Sequence, residues 1–169
     1  AKENARISLA REGEQTYLRL QSDFQGFAFA WAKRSFDPRP LGEAGRLRVR
    51  LRGDGSGHLL EVRLGAAAPD GGHPLYYVNR LEALSLNFTG WKTVTLDLAR
   101  FRTPDNGRRG RDLAQVAFVE LMVYARGPRR TVDLGIGEIQ WLPADPEVLS
   151  RKRQQQAEGQ AGGERASRH

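Results

Sequence analysis

Along residues 46–52, leucine and valine alternate with arginine. Leu47, Val49 and Leu51 fall on one side of an extended chain, and Arg46, Arg48, Arg50 and Arg52 on the other. Because successive side chains of a strand point to opposite faces, this pattern predicts a strand with one buried and one solvated face. The same period recurs. Tyr17 and Arg19 oppose Leu18 and Leu20, and Glu61 and Arg63 oppose Leu60, Val62 and Leu64. Val94, Leu96 and Leu98 share one face, and Val119, Leu121 and Val123 alternate with Glu120, Met122 and Tyr124. Tyr76–Val78 and residues 131–141 supply further extended runs. Helical periodicity is nearly absent, with short helices conceivable only at 81–86 and 113–116. Roughly seven to nine short strands separated by Gly- and Pro-rich turns are the signature of an all-β sandwich or barrel.

Two details of pairing follow. Gly53-Asp-Gly-Ser-Gly57 is a turn that only glycine-rich sequence tolerates, and it predicts a hairpin between the strands on either side. In residues 27–33, Phe27, Phe29 and Trp31 alternate with Ala28, Ala30 and Ala32. Burial of the larger side chains favours the aromatic set in the core. The opposite parity packs the alanines inward and leaves Trp31 as an outward aromatic platform.

The 169 residues suit one sandwich domain over 1–149 followed by a basic tail, 150–169. That tail is Gln, Gly, Ala, Ser and charge without an apolar period, and is expected to be disordered. It holds five Lys or Arg against two Glu, so it accounts for +3 of the formal charge of +7. The remaining charge is mixed in sign along the strands, which argues against nucleic acid as the partner. With no Cys, disulfides, thiolate metal sites and a thiol nucleophile are excluded. No apolar run approaches the roughly 20 residues of a membrane span. The chain opens Ala-Lys-Glu-Asn, the expectation for a mature or excised form, and secretion or a periplasmic location is expected.

Three stretches carry a family resemblance: Leu47-Arg-Val-Arg-Leu-Arg-Gly-Asp-Gly-Ser-Gly57, Phe88-Thr-Gly-Trp-Lys-Thr-Val-Thr-Leu-Asp-Leu98 and Val132-Asp-Leu-Gly-Ile-Gly-Glu-Ile-Gln140. In order and spacing they resemble the galactose-binding-like jelly rolls among carbohydrate-binding modules attached to bacterial glycoside hydrolases. They are also similar to the complex I intermediate-associated protein group. The resemblance covers residues 16–142 and implies a jelly-roll β-sandwich. It further implies non-catalytic binding of a polysaccharide or other glycan, and a place in a larger parent protein. It also implies a structural calcium, for which Asp133 and Glu138 with backbone oxygens are the candidates. Where the family often carries paired acids, this chain has Gly137-Glu138, a departure that leaves one carboxylate.

Strand parity then assigns a candidate ligand face to one sheet: Arg48, Arg50, Glu61, Arg63, Glu120, Met122 and Tyr124, with Trp31, Tyr76, Tyr77 and Arg126 as neighbours. Planar bidentate donors, carboxylate acceptors and aromatic platforms are what sugars require. The same residues also make ordinary cross-strand Arg–Glu pairs on a solvated face. Trp91 and Trp141 are expected in the core or at a sandwich edge. Glu61 and Glu120 on neighbouring strands raise the question of a paired-carboxylate hydrolase. Their arginine neighbours are expected to lower both pKa values, against that use. His58 and His73 lie beside glycine-rich turns without metal-ligand spacing and are expected to be surface loop histidines. The alternative function is a protein-interaction or assembly-factor domain of the same fold, its arginines meeting an acidic partner.

Overall fold

A computed structural model describes residues 5–24, 29–39, 44–66, 75–78, 84–101, 116–147 and 150. The side chains of 36–39, 44 and 75–77 lie outside the description. The strands are β1 (Ala5–Glu12), β2 (Gln15–Ser22), β3 (Phe29–Arg39), β4 (Ala44–Asp54) and β5 (Leu59–Ala66). They continue with β6 (Leu75–Val78), β7 (Leu84–Ser85), β8 (Thr89–Asp97), β9 (Val116–Tyr124) and β10 (Val132–Pro143). A single 3-10 turn, Leu98–Arg100, follows β8, and the Asp97 carboxylate caps it by accepting from the Ala99 N–H at 2.8 Å. Of the helices conceived at 81–86 and 113–116, residues 81–83 and 113–115 lie outside the described residues; Leu84–Ser85 is β7 and Val116 begins β9.

All pairings are antiparallel, and they form two sheets. The first has the order β1-β2-β10-β4-β8; the second has the order β3-β9-β5-β6, with β7 also on β5. This is the jelly-roll-like β-sandwich that the alternation predicts. Leu20, Leu47, Val49, Leu51, Leu96 and Leu134 line the inner side of the first sheet. Leu60, Val62, Leu64, Val119, Leu121 and Val123 line that of the second, and all are buried. Burying one such aliphatic side chain contributes about 1.5–3 kcal/mol, so these two faces dominate the stability.

Two sequence expectations are corrected. β4 and β5 do not pair: they belong to different sheets, and Gly53–Gly57 carries the chain across the sandwich. A glycine-rich turn with positive φ at Gly55 and Gly57 serves a crossover as well as a hairpin. The parity of β3 is also the reverse of that favoured by bulk. Ala30 and Ala32 pack in the core, whereas Trp31 sits half-buried on the outer face. Small residues there let β3 approach the first sheet closely, and the larger rings are left outside.

Candidate functional site

The outer face of the second sheet is organised by its register. Phe29 of β3, Tyr124 of β9 and Leu59 of β5 stand in one cross-strand row; Trp31, Met122 and Glu61 form the next. Lys33, Glu120 and Arg63 form a third row, and Ser35, Phe118 and Gly65 a fourth. Directly paired residues share a face, so aromatic rows flank a row of alternating charge. Tyr76 and Tyr77 extend this sheet on β6, paired in register with Gly65 and Leu64; their side chains lie outside the described residues.

Arg63 is the hub of the face. Its Nε donates to Glu61 Oε1 at 2.6 Å and its Nη2 donates to the Tyr124 hydroxyl at 2.6 Å, while Nη1 lies 3.6 Å from Glu120 Oε2. The Tyr124 oxygen therefore accepts from inside the network, which leaves its hydrogen free to donate outward. Burial raises the Tyr124 phenol above its usual range and keeps it neutral. The Tyr124 ring also meets Phe29 at a centroid distance of 6.3 Å.

Glu120 departs from expectation. Although it faces outward, its relative exposure is 6%, and burial pushes its carboxyl above the usual 4.5 against the opposing pull of Arg63 and Lys33. Neighbouring arginine alone predicts a lowered pKa; desolvation at the floor of the face outweighs the charges. Lys33 is exposed, with its ammonium 4.1 Å from the centre of the Phe118 ring. Phe118 in turn lies flat over Gly65, whose missing side chain makes the space for it.

The predicted ligand residues divide between the two sides of the molecule. Trp31, Glu61, Arg63, Glu120 and Tyr124 come together on the second sheet, and Arg126 is exposed in the loop just beyond Tyr124. Arg48 and Arg50 do not join them, because β4 belongs to the first sheet and its outer face looks the opposite way. There Arg48 Nη1 donates to Gln140 Oε1 at 3.4 Å, and the Arg50 guanidinium lies 4.9 Å from the centre of Trp91. Trp91, expected in the core or at an edge, lies on this outer face. It packs against Tyr17 edge-on at 5.1 Å, and its Nε1 donates to Glu12 Oε2 at 2.9 Å. Trp141 is partly buried against the core.

Asp133 and Glu138 are also separated. They lie five positions apart on one strand, about 16 Å if fully extended. Asp133 Oδ1 accepts from Arg19 Nε at 2.8 Å, and Oδ2 accepts from Nη2 of the same side chain. The Arg19 hydrogen bonds hold the Asp133 carboxyl below the usual 3.8. Glu138 instead accepts from Gln140 Nε2 at 2.5 Å. The two carboxylates expected to share a calcium thus serve different partners. No group of three or more potential metal ligands occurs among the described residues.

His58 is fully buried rather than a surface histidine. Its Nδ1 accepts from the Arg126 backbone N–H at 3.0 Å, which places its hydrogen on Nε2, donating to the Thr131 carbonyl at 3.0 Å. It ties the β9–β10 loop, and Arg126 with it, to the crossover. His73 lies outside the described residues. Asp54 has the same organising role: Oδ1 accepts from Ser56 N at 3.0 Å and Oδ2 from Asp133 N at 2.8 Å. Phe29, Lys33 and Phe118 were missed from sequence, and correct parity for Ala30 and Ala32 would have revealed the first two.

No protein-family model and no curated protein sequence matches the chain. Solved structures do. A family 11 carbohydrate-binding module from Clostridium thermocellum, in complex with a β-1,3-1,4-mixed-linked tetrasaccharide, superposes with TM-score 0.65 at 14% identity. That match covers 84% of this chain and 85% of the module. A family 30 carbohydrate-binding module gives TM-score 0.57 at 13% identity over 84% and 86% of the two chains. An exo-β-agarase gives 0.55 at 15% identity, over 85% of this chain but 24% of the enzyme. The chain therefore shares its fold with carbohydrate-binding modules and with a part of a larger enzyme chain. No helix of the described residues is long and apolar enough to cross a membrane.

Proposed function

We propose that the chain is a non-catalytic carbohydrate-binding module whose ligand face is the outer side of the β3-β9-β5-β6 sheet. One observation carries this reading. A fixed polar network on β5 and β9, Glu61–Arg63–Tyr124 with Glu120 beneath it, lies beside the half-buried Phe29 and Trp31 of β3 on a single sheet face. The rings give apolar surface for a sugar face, and the network gives donors and acceptors already held in place, so little ordering is needed on binding. The likeness in fold to modules solved with or named for carbohydrate supports the ligand class.

The same network argues against hydrolysis. A paired-carboxylate mechanism needs the scissile bond between an acid and a base or nucleophile. Here the Arg63 guanidinium occupies that place, within 2.6 Å of Glu61 and 3.6 Å of Glu120. The ligand is a polysaccharide and the working location outside the cytoplasm, with the chain serving a larger polysaccharide-active protein; the match to part of an exo-β-agarase supports this reading.

The test is a glycan array at low and high salt on the wild type, Trp31→Ala, Tyr124→Ala and the double variant Arg48→Ala/Arg50→Ala. Salt-resistant binding that is lost in the first two variants and kept in the third supports the reading. Binding lost only with the arginines moves the site to the opposite sheet. Absence of any glycan binding favours the protein-interaction alternative with an acidic partner.

A further inference from the structure

A sheet edge exposes unpaired backbone donors and acceptors, and proteins blunt such edges with short strands, bulges, prolines or inward-pointing charges. Most edges of this sandwich follow that practice. β8 carries the exposed Lys92 on its inner side, in register with Leu51. β3 has a register shift between Ser35 and Arg39 and contains Pro38; β6 is four residues long. β1 contains no proline, and the one charge on its inner side, Arg11, sits next to the β1–β2 turn, where its Nε donates to the Gly13 carbonyl at 2.9 Å. The eight residues of β1 pair with β2 without a break. Its inner-side residues Ile7 and Leu9 are 41% and 74% exposed, although they share a face with Leu20, which is fully buried. Among the described residues the first sheet thus overhangs the second at β1, leaving an apolar strip beside an open edge.

We propose that the partner of this edge is a second copy of the chain, paired β1 to β1 in antiparallel fashion about a two-fold axis centred on Leu9. A two-fold pairing keeps each side chain on its own face only at registers that oppose residues of equal parity. Charge selects among these. Centring on Leu9 sets Arg6 opposite the partner copy's Glu12 twice, Ser8 opposite Ala10, and Ile7 opposite the aliphatic stem of Arg11. Arg6 is exposed with no ion-pair partner among the described residues, and Glu12 uses only Oε2 towards Arg52 and Trp91. Centring on Ser8 forfeits both charge pairs. The axis stands normal to the joined sheet, so the outer faces of both second sheets look to the same side. Pairing one strand edge covers less than a standard interface of about 1,200–2,000 Å², so the dimer is reversible.

The chain has no cysteine, which makes the register directly testable. Residues directly opposite across an antiparallel pair lie within the ~7 Å Cα limit of a disulfide. Under mild oxidation, Leu9→Cys should cross-link to a dimer several-fold more than Ile7→Cys, whose two copies would stand four positions, about 13 Å, apart. In sedimentation equilibrium the wild-type mass should rise toward twice the monomer with concentration, and Leu9→Lys should abolish the rise. A wild type monomeric up to its solubility limit, equal cross-linking of the two cysteine variants, or a dimer indifferent to Leu9→Lys would each overturn the proposal. None of these readouts involves glycan, so they stand apart from the binding reading.

Discussion

Replacing Gly65 by Ala tests whether the floor of the second sheet's outer face is packed as described. A β-carbon at Gly65 would lie 1.7 Å from Phe118 Cζ and 2.1 and 2.3 Å from its two Cε atoms. Carbon atoms sit comfortably at about 3.5–4.0 Å, so the ring must retreat by roughly 2 Å. Phe118 is 4% exposed, and its far side is met by Lys33, so there is little room for that retreat. Forcing a methyl into a packed site costs about 1–3 kcal/mol. If the ring swings out instead, it gives up about 1.5–3 kcal/mol of burial. Alanine returns about 0.5–1 kcal/mol through the lower entropy of the unfolded chain. The net expectation is a loss of about 1–2 kcal/mol, or a Tm lower by roughly 2–8 °C for a domain of this size. Urea denaturation followed by tryptophan fluorescence measures it. Phe118→Ala alone should cost about 3–5 kcal/mol. Combined with Gly65→Ala it should cost less than the sum, with a coupling of about 1 kcal/mol or more because the clash is gone. A Gly65→Ala variant as stable as the wild type, additive with Phe118→Ala, would refute the packing.

Leu121→Ala, at a position buried in the core, should destabilise by about 2–5 kcal/mol in the same assay, and a negligible change would mean that β9 has the opposite parity. Thermal melts against pH should separate two carboxylates of opposite behaviour. Asp133, held below 3.8 by Arg19, contributes stability that is complete above that pH and lost as pH falls through its depressed value, so wild type should lose Tm more steeply than Asp133→Asn in acid. Glu120 is raised by burial, so the folded state binds its proton more tightly; stability should decline as pH climbs past 4.5 through the raised value, and Glu120→Gln should flatten that decline. Deleting residues 151–169 should leave Tm unchanged, and a fall of several degrees would show that the tail belongs to the fold.

Parity was legible in the chain wherever aliphatic and charged residues alternate, as in β4, β5 and β9, because burial of one face dictates it. Parity does not say which sheet a strand joins. Arg48 and Glu61 both read as outward, yet they look in opposite directions, since Gly53–Gly57 has the same local chemistry whether it closes a hairpin or crosses between sheets. In β3 the choice between bulky and small faces depended on how closely the other sheet approaches, a tertiary fact. The Arg19–Asp133 pair joins positions 114 apart in sequence, and the raised pKa of Glu120 arises from burial, which no local pattern encodes. Clustering of Glu61, Arg63, Glu120 and Tyr124 was legible because adjacent strands of matched parity bring them together.

Among the described strands β9 joins β3 to β5 and β10 joins β2 to β4, so the two that come last in the chain are the central members of their sheets. During synthesis the earlier strands can form little beyond the β1–β2, β4–β8, β5–β6 and β5–β7 pairs until residues 116–143 emerge. Pairings of such long sequence separation fold slowly and leave edges open meanwhile. A ribosome stalled before β9 would therefore present unfinished half-sheets, the species most in need of a chaperone, and a chain cut there would retain neither the core nor the ligand face.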